Sequence, residues 1–244
     1  MKTSFIIFLV LIFISSPAKV LAQNNSSTAA VVAAGAVAAG LGTLLAIDNL
    51  EEQVELMATQ KILSMQPEIP NFTLKVLNFE GTKAKDMSNV SVMAFKIQEF
   101  TPADGRRLLG DKRVLLAFTS SGWMNQYGLD YNKVQWYLLD KSEWINLMAA
   151  YTKMASLQKN EDILKESIKQ GVVVNKGIRI DGKLVVPFYK LDDDMYISFD
   201  YSDTMKLVYN ERSFGIYLKN TRDLVQIRRT TIIDIHSFLL DNGQ

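Results

Sequence analysis

Residues 134–155 read VQWYLLDKSEWINLMAAYTKMA, and two hydrophobic periods meet inside them. The first six form a short, mostly apolar run of strand length, with Trp136 and Leu138 on one face. The period changes at Asp140. Asp140 with Glu143 three positions on has the form of a capping box, and Trp144, Leu147, Met148, Tyr151 and Met154 or Ala155 make the apolar stripe of a helix. A strand that passes directly into a capped amphipathic helix points to an α+β fold.

The same punctuation extends in both directions. Downstream, Asn160 caps and Gly171 closes a second helix carrying Ile163, Leu164, Ser167 and Ile168. Short strands follow at 172–174, 177–180, 183–189, 195–200, 206–209, 214–218 and 224–228, separated by Asp, Asn and Gly turns, and Thr230 or Thr231 would cap a last helix running to about Leu240. Upstream, strands are expected at 71–79, 90–100 and 113–119, with a turn at 101–105 and a polar stretch at 80–89. Arg106, Arg107, Lys112 and Arg113 then form a basic, solvated hairpin tip. Val134-Gln135 and Val225-Gln226 hold the same place before the last helix of each half. The expectation is an antiparallel-sheet-rich α+β domain with two or three packed helices, divided at 67–170 and 171–244 into two similar strand-strand-strand-helix halves.

Before this domain, residues 1–22 have the pattern of a cleaved secretory signal: Lys2, ten apolar residues at 5–14, and Val20 with Ala22 placed for cleavage after Ala22. Residues 28–47 are uncharged and contain eight Ala and three Gly. As a helix they would extend about 30 Å, with Gly35, Ala39, Gly42 and Ala46 on one narrow face smooth enough for close helix packing. Too few strongly apolar residues are present for firm membrane insertion, and the following flank opens with Asp48, Glu51, Glu52 and Glu55, where a stop-transfer helix expects Lys and Arg. Self-association or packing into a membrane or partner fits better; an Ala-rich tether or a helix lying on the domain is the plainer alternative. Leu50, Val54, Met57 or Ala58, Ile62 and Met65 continue as an amphipathic helix until Pro67, so residues 23–66 read as one long helix, or as two with a hinge at Asp48.

Composition narrows the function. The 244 residues carry 27 Lys and Arg against 26 Asp and Glu, a formal net charge of +1, so nothing in the overall balance draws the chain to nucleic acid. With no Cys and one His, thiolate chemistry, disulfides and multi-His metal sites are excluded. That His, His236, lies among Ile232, Ile233, Leu239 and Leu240 on the last helix, the setting of a core histidine rather than a general base. Asp192, Asp193 and Asp194 could hold a hard cation such as calcium, although consecutive Asp residues equally fill a solvated turn. Ser120-Ser121-Gly122 lacks a nucleophile elbow, and no phosphate-binding glycine loop occurs, so no cofactor is expected. Trp123, Asn125, Gln126 and Tyr127 mix aromatic and polar groups in a loop and are the expected ligand or partner patch.

These observations favour a non-enzymatic, exported, envelope-associated protein, periplasmic or outer-membrane-associated in a bacterium and extracellular otherwise. Its N-terminal helix would associate or anchor, and its domain would bind a protein partner. The alternative is a soluble secreted ligand-binding module, or a carboxylate-based enzyme acting on glycans or using a metal ion.

Overall fold

Val92-Met93-Ala94-Phe95 and Val114-Leu115-Leu116-Ala117-Phe118 are apolar without alternation, as befits strands covered on both faces. The computed structural model describes residues 44–77, 91–125, 128–192, 195–211 and 214–240, and it shows what covers them. Strands β1 (Phe72–Val76), β2 (Ser91–Ala103), β3 (Arg106–Thr119) and β6 (Val134–Leu139) form an antiparallel sheet in the order β1-β2-β3-β6. A two-residue ladder, β4 (Met124–Asn125) with β5 (Gly128–Leu129), precedes β6. Met93, Phe95, Ile97, Leu115 and Ala117 point to one face. There they bury Leu50, Val54, Met57, Ala58 and Ile62 of helix α1 (Leu44–Met65). Val92, Ala94, Val114, Leu116 and Phe118 point to the other face and join the larger core.

That larger core is built from the rest of the chain. Helices α2 (Lys141–Ala155) and α3 (Glu161–Gln170) lead to a three-stranded sheet, β7 (Val172–Val174), β8 (Gly177–Ile180) and β9 (Lys183–Pro187). A four-stranded antiparallel meander follows, β10 (Ile197–Asp200), β11 (Met205–Tyr209), β12 (Phe214–Leu218) and β13 (Asp223–Ile227), and helix α4 (Arg229–Leu240) ends the described chain. The molecule is thus mixed α+β, with four helices and three antiparallel sheets besides the two-residue ladder, among the described residues. Each four-stranded meander is followed by a helix that covers the other meander's sheet. α2 follows β6 and packs on β10 and β11, whereas α4 follows β13 and packs on β2 and β3.

Several boundaries fall where the local chemistry puts them. Asp140 Oδ1 accepts the Glu143 amide at 2.8 Å and Glu143 Oε2 accepts the Asp140 amide at 2.9 Å, a complete capping box. The Asn160 side chain accepts the amides of Asp162 and Ile163 at 3.0 and 3.2 Å. Other expectations are corrected. β1 as described spans Phe72–Val76 and Leu77 leaves it, while 78 and 79 of the expected strand lie outside the described residues. The 101–105 turn shrinks to Asp104-Gly105, both at positive φ (44° and 74°) as a type I′ hairpin requires. Arg106, Arg107, Lys112 and Arg113 therefore lie in β3 rather than in a loop. A register shift between Gln98 and Phe100 bends this long hairpin, and the Gln98 side-chain amide donates to the carbonyls of Glu99 and Gly110 at 3.0 and 2.9 Å. α4 starts at Arg229, so Thr230 and Thr231 are inside its first turn and neither caps it. α1 runs through Asp48 without a hinge.

Candidate functional site

The expected association face meets the described structure only at Ala46, within α1; Gly35, Ala39 and Gly42 lie outside the described residues. Below Ala46, α1 is part of the body of the protein. Leu50, Val54, Met57, Ala58 and Ile62 are all essentially inaccessible to solvent, and Glu55 Oε1 accepts the Val76 amide at 3.0 Å, fastening the helix to the end of β1. Leu56 and Leu63, seven residues apart and so on one side of the helix, are exposed. No helix among the described residues is long and apolar enough to cross a membrane.

The expected aromatic patch is not a surface feature where it is described. Trp123 is fully buried in the smaller core, with its amide on the Ser120 carbonyl at 3.1 Å and its carbonyl accepting the Asp130 amide at 2.6 Å. The tight turn through Gly122, at φ 77°, turns this indole inward, and loop composition alone carries no sign of that. Asn125 belongs to β4, paired with Gly128, while Gln126 and Tyr127 lie outside the described residues. Of the three consecutive aspartates, Asp192 is exposed, and Asp193 and Asp194 lie outside the described residues. No group of three or more potential metal ligands occurs among the described residues. Asp200, further along, is engaged by Lys219 at 2.7 Å and Lys206 at 3.5 Å, and the Lys219 hydrogen bond in particular lowers its pKa.

His236 is 5% exposed in the larger core, and its Nδ1 accepts the indole N–H of Trp144 at 3.4 Å. Burial lowers its pKa, opposed by a backbone hydrogen bond to Gly171. A polar cluster not evident from the sequence surrounds Tyr151. Its ring meets Phe214 edge-on with centroids 4.2 Å apart and meets Tyr209 at 6.0 Å. The Tyr209 hydroxyl donates to the Tyr189 carbonyl. Nearby, Nε and Nη1 of Arg229 are buried without a hydrogen-bond partner, and burial lowers the guanidinium pKa. Burial also raises both phenols, Tyr151 most, so neither acts as a base near neutral pH. The spacing of Tyr151, Tyr209 and Arg229 over 79 positions explains why no local motif announces the cluster. No known protein family, no curated protein and no solved structure matches the chain.

Proposed function

We propose that the chain is a non-enzymatic, exported, envelope-associated interaction protein in which residues 23–66 associate or anchor and the α+β body binds a protein partner. The observation that carries this reading is the fastening of α1. The uncharged segment at 28–47 runs in sequence into α1, whose apolar side is buried in the first sheet, so whatever that segment contacts is joined to a helix seated on the body. In this reading Gly35, Ala39, Gly42 and Ala46 supply the packing surface. In the same reading residues 1–22 are removed on export, and 67–170 and 171–244 are related halves. The exchange of α2 and α4 between two four-stranded meanders supports the relation of the halves.

The test is a deletion of residues 28–43, which leaves all of α1 in place. The full-length exported protein is expected to remain with membranes through an alkaline carbonate wash, or to elute from a sizing column as an oligomer, and the deletion is expected to be washed free and monomeric. A full-length protein that is already monomeric and released by the wash overturns the reading.

A further inference from the structure

β6 pairs with β3 only from Val114 to Thr119, because at Asp140 the chain turns away into α2. β3 continues to Arg106, and among the described residues no strand pairs with 106–113 on the β6 side. A groove of about 880 Å³ lies beside this stretch, between Gly110–Arg113 on one wall and the start of α2 with α3 on the other, with Ile145 and Leu239 among its lining residues. We propose that this groove takes an extended acidic peptide of a partner protein, which adds to the first sheet beside β3 in the line that β6 leaves. The proposal deepens the partner-binding reading of the body and rests on it.

Charge selects the occupant. Lys112, Lys141, Lys165 and Lys169 line the groove, Lys112 with its Nζ over the Phe238 ring at 5.5 Å, and Arg113 is committed to Glu99. The acidic lining residues are Asp111 and Asp140, and the Asp140 carboxylate is already engaged in capping α2. Lys165, half-buried, reaches Glu161 at 2.8 Å and Lys169 reaches Glu166 at 3.6 Å, but both are intrahelical pairs with solvent-exposed carboxylates, which contribute little and exchange for a better-placed carboxylate. The strand edge selects a polypeptide over another polyanion, since it presents main-chain donors and acceptors at the spacing of a β-ladder. Leu108 and Leu109, 59% and 69% exposed on the same segment, add apolar contact beside the charge. A peptide alternating acidic and apolar residues matches both features, because successive side chains of an added strand point to opposite faces. Lysines on an edge strand can also serve only to repel such pairing, and the experiment separates the two roles.

Fluorescence anisotropy on the full exported chain would use four probes: an alternating Glu-Val peptide of about eight residues, the same composition with its glutamates in one block, the alternating peptide N-methylated at every second amide, and a sulfated oligosaccharide. The alternating peptide is expected to bind saturably, more weakly as salt rises, and to lose roughly tenfold or more in affinity both on N-methylation and in the Lys165→Gln/Lys169→Gln double variant. Circular dichroism checks that the double variant keeps its fold. Absence of saturable binding, equal binding of the blocked or N-methylated peptide, or equal binding of the sulfated oligosaccharide overturns the proposal. Carbonate-resistant retention measured on the same preparation tells the two readings apart. Retention without peptide binding discards the groove alone, whereas peptide binding without retention discards the anchor alone.

Discussion

His236 and Trp144, 92 positions apart, make their bond only while Nδ1 is unprotonated. Burial lowers the native pKa below the ordinary value of 6.5, so the folded state holds the proton less tightly than the unfolded chain does. Stability from this site is therefore complete above about pH 6.5, falls as the unfolded chain begins to take up the proton, and is lost once pH passes below the native pKa. The midpoint of urea unfolding is expected to drop between pH 7.5 and 5.5, and His236→Gln is expected to flatten that dependence. No other side chain here has an ordinary pKa in this window. An unchanged slope in the variant would show that the ring does not control acid sensitivity. Trp144→Phe removes the donor, leaves Nδ1 unsatisfied in the core, and is expected to cost about 1–3 kcal/mol at pH 7.5.

Two glycines show how differently the hairpins constrain their sequence. Gly105 holds φ 74° at the β2–β3 turn with nothing within 4 Å of an added Cβ. Gly177 holds φ 138° at the start of β8, where an added Cβ would lie 1.8 Å from the Val186 carbonyl oxygen. Gly105→Ala is expected to lower stability by about 1 kcal/mol through backbone strain alone. Gly177→Ala adds a clash with main chain and is expected to cost at least about 3 kcal/mol, or to prevent accumulation of soluble protein. Equal melting temperatures for the two variants would contradict the difference. Elements of this kind were legible from residue types: Asp140 with Glu143, Asn160 and Gly171 mark their helix ends, and β7, β8 and β12 follow from apolar runs between turn residues. What residue types could not convey was direction. Trp123 stands in a polar loop yet points inward, and Arg106 to Arg113 look like a solvated tip yet continue a strand, because pairing with β2 outweighs their composition. The candidate groove was hidden for the same reason, since its lining comes from β2, β3, α2, α3 and α4, whose adjacency is tertiary.

At the scale of the whole molecule, burial of the first sheet on both faces makes α1 structural. Burying Leu50, Val54, Met57 and Ile62 at about 1.5–3 kcal/mol each amounts to roughly 6–12 kcal/mol, comparable with the entire stability of an ordinary domain at about 5–15. A chain beginning at residue 44 is expected to unfold cooperatively with the same urea midpoint as the chain beginning at residue 23. One beginning at residue 67 is expected to bind a hydrophobic dye and to lose the near-ultraviolet signal of its packed aromatics. Retention of that signal in the shorter chain would show that the sheet needs no cover on this side. The unbroken apolar runs in β2 and β3 match the two-sided burial, but they do not say which helix covers which face.

The exchanged helices set an order of events during synthesis. β2 and β3 emerge more than a hundred residues before α4, the helix that packs across them, so the first sheet stays uncovered on that face until the last described residues are made. A chain stalled anywhere before Arg229 holds a greasy, unfinished sheet. Closure of the larger core is thereby deferred until the C-terminal helix arrives.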